Sequence, residues 1–188
     1  MKPYYYQVYL AEHDVVAELA PTERAAAFRL TYPEKEMSYL VIDAYSGGNA
    51  EVIGDRNMIV GYSTANHGGV TENFRNWFVV VSDTPFETQT VDGHIAMVGF
   101  KTVKGQKVNL KVASSFISQE QAELNLNELS GRSFDEIAEA GRARWNEVLG
   151  RIAVEDDNLD NLRTFYSCLY RSVLFPRALS ELNAAGES

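Results

Sequence analysis

Residues 107–126, KVNLKVASSFISQEQAELNL, contain the change of pattern that decides the fold. From Lys107 to Phe116, apolar side chains occupy most alternate positions, which is the period of a β-strand with one face in water. Ser118 then lies three residues before Gln121, and this capping-box spacing predicts a short helix that ends near Leu126. The order predicted for the chain is therefore strands first and helices afterwards.

The residues before this point predict a series of short strands separated by turns. Trp77–Ser82 is apolar almost throughout, which predicts a strand buried on both faces. No helical pattern interrupts the series, so an antiparallel β-sandwich is predicted rather than a parallel α/β sheet. The predicted strands, besides Lys107–Phe116, are residues 6–10, Val15–Ala20, Ala25–Tyr32, Met37–Ala44, two short runs flanking Gly54–Asn57, Trp77–Ser82 and His94–Thr102.

Two longer helices are predicted after the short one. A second capping box begins at Ser133, and the apolar residues that follow lie on one helix face as far as Leu149. The next helix is predicted over residues 158–175, directly before a proline. Its apolar stripe is wider than a surface helix needs, so we expect this helix to pack against something beyond the end of the chain. Cys168 lies in that stripe and is expected to be buried.

The composition argues against several classes of protein. The 188 residues carry a net charge of −9, and so acidic a chain without a basic run is not expected to bind nucleic acid. No stretch approaches the roughly 20 apolar residues of a membrane span. The single cysteine cannot form an intramolecular disulfide. The chain enters strand-like sequence at Tyr4 without a signal peptide, so the compartment is left open.

The candidate binding residues lie in the connection that precedes Trp77. Asn66-His67-Gly68-Gly69 is a polar loop with two glycines, and such a loop beside an aromatic ring can bind a sugar. Asn66, His67 and Trp77 are therefore predicted as candidates for substrate binding. The alternative is that the loop is an ordinary long connection, with glycine used for backbone freedom, and that Trp77 belongs to the core.

No catalytic or metal-binding residue is predicted within the chain. Its three histidines have no metal-ligand spacing. Asp156 and Asp157 match no calcium loop, and helix capping explains both of them. No sequence pattern indicates that two of the carboxylates face each other across a cleft, as a catalytic pair would.

Seven segments, taken in order, carry a family resemblance. The opening YYYQVYL is similar to a GYY-V-L strand, and FYSCLYRSVLFPR at residues 165–177 is similar to F-Y-T-A-L-Y-H-x-L-L-F-P-R. Together the segments resemble glycoside hydrolase family 92, a family of α-mannosidases, across nearly the whole chain. The other five segments are Val16–Arg24, Phe28–Pro33, Trp77–Phe86, Val112–Asn127 and Trp145–Ile152.

The resemblance implies a galactose-mutarotase-like β-sandwich that leads through two or three helices into an (α/α) barrel. It implies a calcium-dependent, inverting exo-α-mannosidase of the α-1,2 type, periplasmic or secreted, that acts on mannose-containing glycans. The catalytic carboxylates and the calcium ligands are implied to lie in the barrel, which would follow Ser188. We therefore expect residues 1–117 to form an incomplete N-terminal sandwich domain, residues 118–180 to form linker helices and residues 181–188 to form a tail. On this basis the chain should be inactive without its partner, the barrel.

A stand-alone, non-catalytic module that binds carbohydrate or a partner protein is the alternative function. A β-sandwich with polar loops is a common binding scaffold, although a fold alone does not give a function. Such a module would have to fold and remain monomeric without the barrel. The wide apolar stripe of the last helix argues against it, because large exposed apolar patches mark missing partners.

Overall fold

The computed structural model describes residues 2–174 and 180–187. Within them, the strands are β1 (Tyr6–Leu10), β2 (Val15–Pro21), β3 (Ala25–Tyr32), β4 (Lys35–Asp43), β5 (Asn49–Ile53), β6 (Met58–Ser63), β7 (Asn76–Ser82), β8 (Thr88–Asp92), β9 (Ile95–Thr102) and β10 (Gln106–Ser115). They form an antiparallel sheet of seven strands, in the order β1-β2-β3-β10-β7-β6-β5, and a second of three strands, in the order β4-β9-β8. The two sheets pack face to face, so the prediction of a mainly antiparallel β-sandwich is confirmed.

Among the described residues, three α-helices follow the strands, and each begins after a residue whose side chain accepts a hydrogen bond from a backbone N–H. Ser118 accepts from the N–H three residues on at 3.1 Å, and Asn158 accepts from the N–H two residues on at 2.9 Å. Ser133 and Glu136 form the complete capping box that the sequence predicts. None of the described helices is long and apolar enough to cross a membrane. The helices are α1 (Gln119–Asn125), α2 (Phe134–Leu149) and α3 (Leu159–Ser172), with a short 3₁₀ helix at Leu126–Leu129.

The first core fills the space between the two sheets. Phe100 is fully buried there, and its ring centroid lies 6.4 Å from that of Tyr32 and 5.8 Å from that of Phe86. Val98 and Val108 are also fully buried. Burying a side chain of this size stabilises a fold by about 1.5–3 kcal/mol, so this core holds the small sheet on the large one.

The second core lies between the seven-stranded sheet and the helices. Val79 on β7 and Ile137 on α2 are buried in it, whereas Val80 on β7 is buried in the first core. β7 is therefore buried on both faces, as predicted. The prediction of one wet face along β10 is wrong near α1, because the helices cover Ala113 and leave it 1% exposed.

The last helix, α3, lies on the surface with none of its residues buried. It is joined to α2 by a ring contact between Trp145 and Tyr170, whose centroids are 5.1 Å apart. The prediction that Cys168 is buried is wrong, because its thiol lies on an exposed side of the helix. The predicted end of this helix near residue 175 lies outside the described residues.

A buried ion pair fixes the start of α2 to the sheet. Arg29 on β3 donates from Nε and Nη2 to the two carboxylate oxygens of Glu18 on β2, at 2.7 Å each. Its Nη1 donates to Asp135 at 2.9 Å, and its guanidinium lies 4.2 Å from the ring centroid of Phe134. The Tyr5 hydroxyl also donates to Glu18, at 2.7 Å. The hydrogen bonds from Arg29, opposed by burial, hold the pKa of Glu18 below its usual value.

Candidate functional site

The predicted binding residues Asn66 and His67 lie in the connection between β6 and β7, residues 64–75. The side-chain nitrogen of Asn66 donates to the carbonyl oxygen of Thr64 at 2.9 Å, and its side-chain oxygen accepts from the amide of residue 68 at 2.7 Å. The two glycines that follow have φ angles of 93° and 78°, in the left-handed region that glycine favours. Asn66 therefore closes the turn that leaves His67 exposed at the surface.

Trp77 lies at the start of β7 with its ring half-buried against the second core. The centroid of the Tyr62 ring is 4.9 Å away in an edge-to-face arrangement. The Arg75 guanidinium lies over both rings, 4.7 Å from the centroid of Tyr62 and 5.8 Å from that of Trp77. The structure therefore brings Asn66 and His67 together on one turn, while Trp77 packs with Tyr62 and Arg75.

A second loop, residues 44–48, packs against the start of the first one. A Cβ atom on Gly47 would lie 2.8 Å from Oγ1 of Thr64, and one on Gly48 would lie 2.6 Å from the carbonyl oxygen of Tyr62. The close approach of the loop to β6 therefore requires glycine at position 48, and the φ angle of 86° favours glycine at position 47. Tyr45 lies in the second loop and is 63% exposed. Sequence reasoning missed it, although the glycine pair after it was a signal that another backbone comes close.

The far end of the first loop lies against the start of the helices. The ring centroids of Phe74 and Phe116 are 5.7 Å apart. Glu181, in the predicted tail, accepts from the Phe116 amide at 3.0 Å and from the side-chain nitrogen of Asn125 at 2.8 Å. The chain thus returns to this end of the sandwich. We use the name loop rim for the side chains of Tyr45, Asn66, His67 and Arg75.

Six carboxyl groups of the described residues have a pKa that departs from its ordinary value. Wherever a carboxyl pKa departs from its ordinary value, a hydrogen bond accepted by the carboxylate lowers it, whereas a general acid near neutral pH needs a raised pKa. Asp156, for example, accepts from the Asn158 amide at 2.7 Å and from the side chain of Asn161 at 2.9 Å. The carboxyl groups with a lowered pKa are Glu18, Glu120, Glu136, Glu139, Glu147 and Asp156.

The chain matches two family models. The first is the glycosyl hydrolase family 92 N-terminal domain, which matches residues 1–127. The second is the glycosyl hydrolase family 92 catalytic domain, which matches residues 121–187. The second match begins inside α1, so α2 and α3 both fall in the region that resembles the catalytic domain.

Known proteins similar to the chain include two solved structures and one curated sequence. A family GH92 inverting mannosidase from Bacteroides thetaiotaomicron has a TM-score of 0.90 and 35% identity, over 98% of this chain and 27% of that one. A family GH92 alpha-mannosidase from the same organism has a TM-score of 0.78 and 24% identity, over 95% of this chain and 28% of that one, which shows a shared fold. An uncharacterized secreted glycosidase from Arthroderma benhamiae is 30% identical over 87 residues, which are 44% of this chain and 11% of that protein. The chain thus spans about a quarter of the length of the two solved structures.

Proposed function

This chain belongs to glycosyl hydrolase family 92, and we propose that it forms one part of an exo-acting α-mannosidase that releases mannose from glycans. The similarity to the inverting mannosidase, at 35% identity over 98% of this chain, carries the proposal. Because the chain spans 27% of that structure, the activity is proposed for a whole enzyme. Inversion and a preference for α-1,2 linkages are parts of the proposal. Export to the periplasm or the medium is another, since the curated relative is described as secreted.

We propose that the catalytic carboxylates lie in another part of the enzyme. An inverting glycosidase needs one carboxylic acid to protonate the leaving oxygen and one carboxylate to activate water, about 6.5–9.5 Å apart. The acid must have a raised pKa, whereas hydrogen bonds lower the pKa of Glu18 and Glu136 here. The role proposed for this chain is therefore to hold and shape the site.

Calcium is proposed as a cofactor of the whole enzyme. Calcium takes six to eight oxygen ligands, several of them from carboxylates. Residues 2–174 and 180–187 contain no group of three His, Cys, Asp or Glu side chains that could hold a metal ion, and we propose that the calcium ligands lie in another part of the enzyme. No chemical step proposed for this chain depends on the ion.

The loop rim is proposed to contact the glycan. Asn66 and His67 offer nitrogen donors and oxygen or nitrogen acceptors on an exposed turn, and sugar hydroxyls need both kinds of group. Tyr45 adds an exposed ring on the neighbouring loop, and such a ring can lie on the apolar face of a sugar.

The exposed apolar side of α3 is proposed to pack against the rest of the catalytic region. Leu159 is 57% exposed, although it belongs to the stripe that the sequence predicts to be covered. The catalytic-domain match extends across the whole of this helix. A large apolar surface of this kind marks the contact with a partner.

The test places this chain inside an active enzyme. Residues 1–188 replace the corresponding segment of the Bacteroides inverting mannosidase, and the chimera is assayed on 4-nitrophenyl α-mannoside and α-1,2-linked mannobiose with and without calcium. We expect calcium-dependent hydrolysis by the chimera, β-mannose as the first product in proton NMR spectra, and no turnover by the isolated chain. A folded chimera without mannosidase activity, or clear turnover by the isolated chain, contradicts the proposal.

A substitution in the chimera tests the loop rim separately. Removing one hydrogen bond to the substrate costs roughly 0.5–1.5 kcal/mol, so His67→Ala should lower kcat/KM by about two- to tenfold. His13→Ala is the matched control, because His13 is exposed in the turn between β1 and β2, at the opposite edge of the large sheet. If His67→Ala leaves kcat/KM unchanged, the rim does not bind substrate, while the proposed activity of the enzyme stands.

The stand-alone binding module makes a different prediction for the isolated chain. It requires a stable monomer in sedimentation experiments that binds mannose oligomers on its own. The exposed apolar side of α3 argues against it, because that surface should drive self-association of the isolated chain.

A further inference from the structure

A groove of about 530 Å³ opens on the helix-covered face of the seven-stranded sheet, beside the first turn of α2. Its floor includes Lys107, Asn109 and Lys111, which point to the same face of β10. Arg132, directly before α2, lies in its wall. The groove is separate from the loop rim, since Lys107–Lys111 lies at the end of β10 remote from the pairing of Ser115 with Trp77.

The charged side chains of the groove fall into two groups. Those in the first group already have partners: Arg29 binds Glu18 and Asp135, and both carboxylate oxygens of Asp83 accept from Asn109, at 2.9 and 2.7 Å. The second group has no ion pair and no side-chain hydrogen bond with any described residue, and it consists of Lys107, Lys111 and Arg132.

Three cations without an ion pair line this one groove, although the chain is acidic overall. It has 26 acidic residues against 17 lysines and arginines, and yet no described carboxylate forms an ion pair with these three, although Glu18 attracts Lys107 and Glu136 attracts Arg132 at longer range. Lys111 and Arg132 are half-buried, so their charges lose part of their contact with water. Like charges brought together in a concave surface raise the local concentration of ions of opposite sign.

The spacing of the two lysines allows both to reach one ligand. They are four residues apart on one face of β10, which is roughly 14 Å at about 3.4 Å per residue. A point midway between the two lysines lies within reach of each extended side chain and its hydrogen bond, and the Asp83 carboxylate held by Asn109 borders it. Charge-assisted hydrogen bonds from ammonium and guanidinium groups to oxyanions are stronger than neutral ones.

We propose that this groove is a binding site for an oxyanion, a phosphate or sulfate group that Lys107, Lys111 and Arg132 hold together. The group can be a free ion or an ester on a larger ligand, since both present the same oxygens. The site does not depend on the proposed mannosidase activity, because no residue of the loop rim contributes to it.

The test is a titration of the 188-residue chain, at a concentration where sedimentation shows a monomer, with inorganic phosphate, sulfate and mannose 6-phosphate, and sodium chloride holds the ionic strength constant. Amide chemical shifts in ¹⁵N NMR spectra report the position and the affinity. We expect saturable shifts around Lys111 and Arg132, and none there with neutral mannose. Arg132→Gln and Lys111→Gln should each weaken binding on the order of tenfold, because each removes a charge-assisted hydrogen bond.

Lys104→Gln is the matched control, because Lys104 is an exposed lysine in the turn between β9 and β10, outside the groove. It removes the same charge and should leave the affinity unchanged. Equal or tighter binding of mannose 6-phosphate than of inorganic phosphate identifies an ester as an acceptable ligand, and weaker binding identifies the free ion. The absence of saturable binding, or an equal loss with Lys104→Gln, overturns the proposal. Circular dichroism spectra establish that each variant is folded.

Discussion

Replacing Arg29 with methionine should destabilise the fold strongly, because it leaves the Glu18 carboxylate buried without its cation. The Arg29 and Glu18 side chains are only 14% and 10% exposed, and two hydrogen bonds of 2.7 Å join them. Removing one partner of a buried ion pair costs about 3–5 kcal/mol. Tyr5 continues to donate to Glu18, so we expect the lower end of that range.

The assay is thermal and urea unfolding of the purified chain, followed by circular dichroism. A decrease of about 3 kcal/mol in the free energy of unfolding lowers the midpoint temperature by roughly 6–12 °C in a chain of this size. Asp135→Asn is the internal comparison, since that carboxylate is 78% exposed and its contact with Arg29 should contribute about 0–1 kcal/mol.

The dependence of this loss on pH follows from the pKa of Glu18. Hydrogen bonds from Arg29 lower that pKa in the folded state, so the stabilisation is present above the unfolded pKa of about 4.3 and is lost as the pH falls through the folded pKa. The difference in stability between the native chain and Arg29→Met should therefore be full at pH 7 and should shrink below about pH 4.

The double variant Glu18→Gln/Arg29→Met decides whether the uncompensated charge is the cause. It removes both charges, so it should recover part of the stability that Arg29→Met loses. If Arg29→Met unfolds within about 0.5 kcal/mol of the native chain, or if the double variant is no more stable than the single one, the ion pair does not stabilise the fold in this way.

Three further substitutions or titrations test other parts of the structure. Ser133→Ala should cost about 1 kcal/mol in urea unfolding because it removes the capping box of α2, and an unchanged midpoint would contradict this role. Gly48→Ala should lower the melting temperature, because its Cβ would lie 2.5 Å from the carbonyl oxygen of Ala44 and 2.6 Å from that of Tyr62; an unchanged melting temperature would refute this close approach of the loop to β6. Burial raises the pKa of Tyr32 to about 12, so an ultraviolet titration compared with that of Tyr32→Phe should show Tyr32 still protonated at pH 11, and its contribution to stability should be lost between about pH 10 and pH 12; ionisation of Tyr32 near pH 10 would contradict its burial.

The elements that local signals specify could be predicted from the sequence. Ser118 and Ser133 cap helices where the capping-box spacing places them, because a cap depends only on residues three apart. β3 begins and ends at Ala25 and Tyr32 as predicted, because the turn residues on either side of it are unambiguous. The family resemblance is confirmed as well, since it rests on an ordered set of segments rather than on one motif.

The features that depend on contacts distant in sequence could not be predicted in the same way. β8, at Thr88–Asp92, was missed because all of its residues are exposed at the edge of the small sheet and carry no apolar alternation. Ala113 is buried because helices cover β10. The sequence of the strand itself carries no signal that helices lie on this face. Burial of Cys168 is predicted from its apolar neighbours on α3, but no described residue covers that side of the helix.

The candidate site was predicted only in part for the same reason. Asn66 and His67 were found because they are adjacent in sequence and their turn chemistry is local. Tyr45 lies at the same end of the sandwich because its loop packs against the start of the loop that contains Asn66. Arg75 lies there because its guanidinium stacks on the ring of Tyr62. The order of the strands in the sheet decides which loops lie next to each other, and the sequence pattern does not specify that order.

The middle position of the large sheet has a consequence for how the chain can diverge. Val79 and Val80 share a peptide bond, yet they serve different cores. A backbone shift that accommodates a larger side chain at one of them necessarily moves the other, so mutations in the two layers should show epistasis rather than independent effects. In homologous chains, we therefore expect residues of the core between the two sheets to co-vary with residues of the core under α1 and α2.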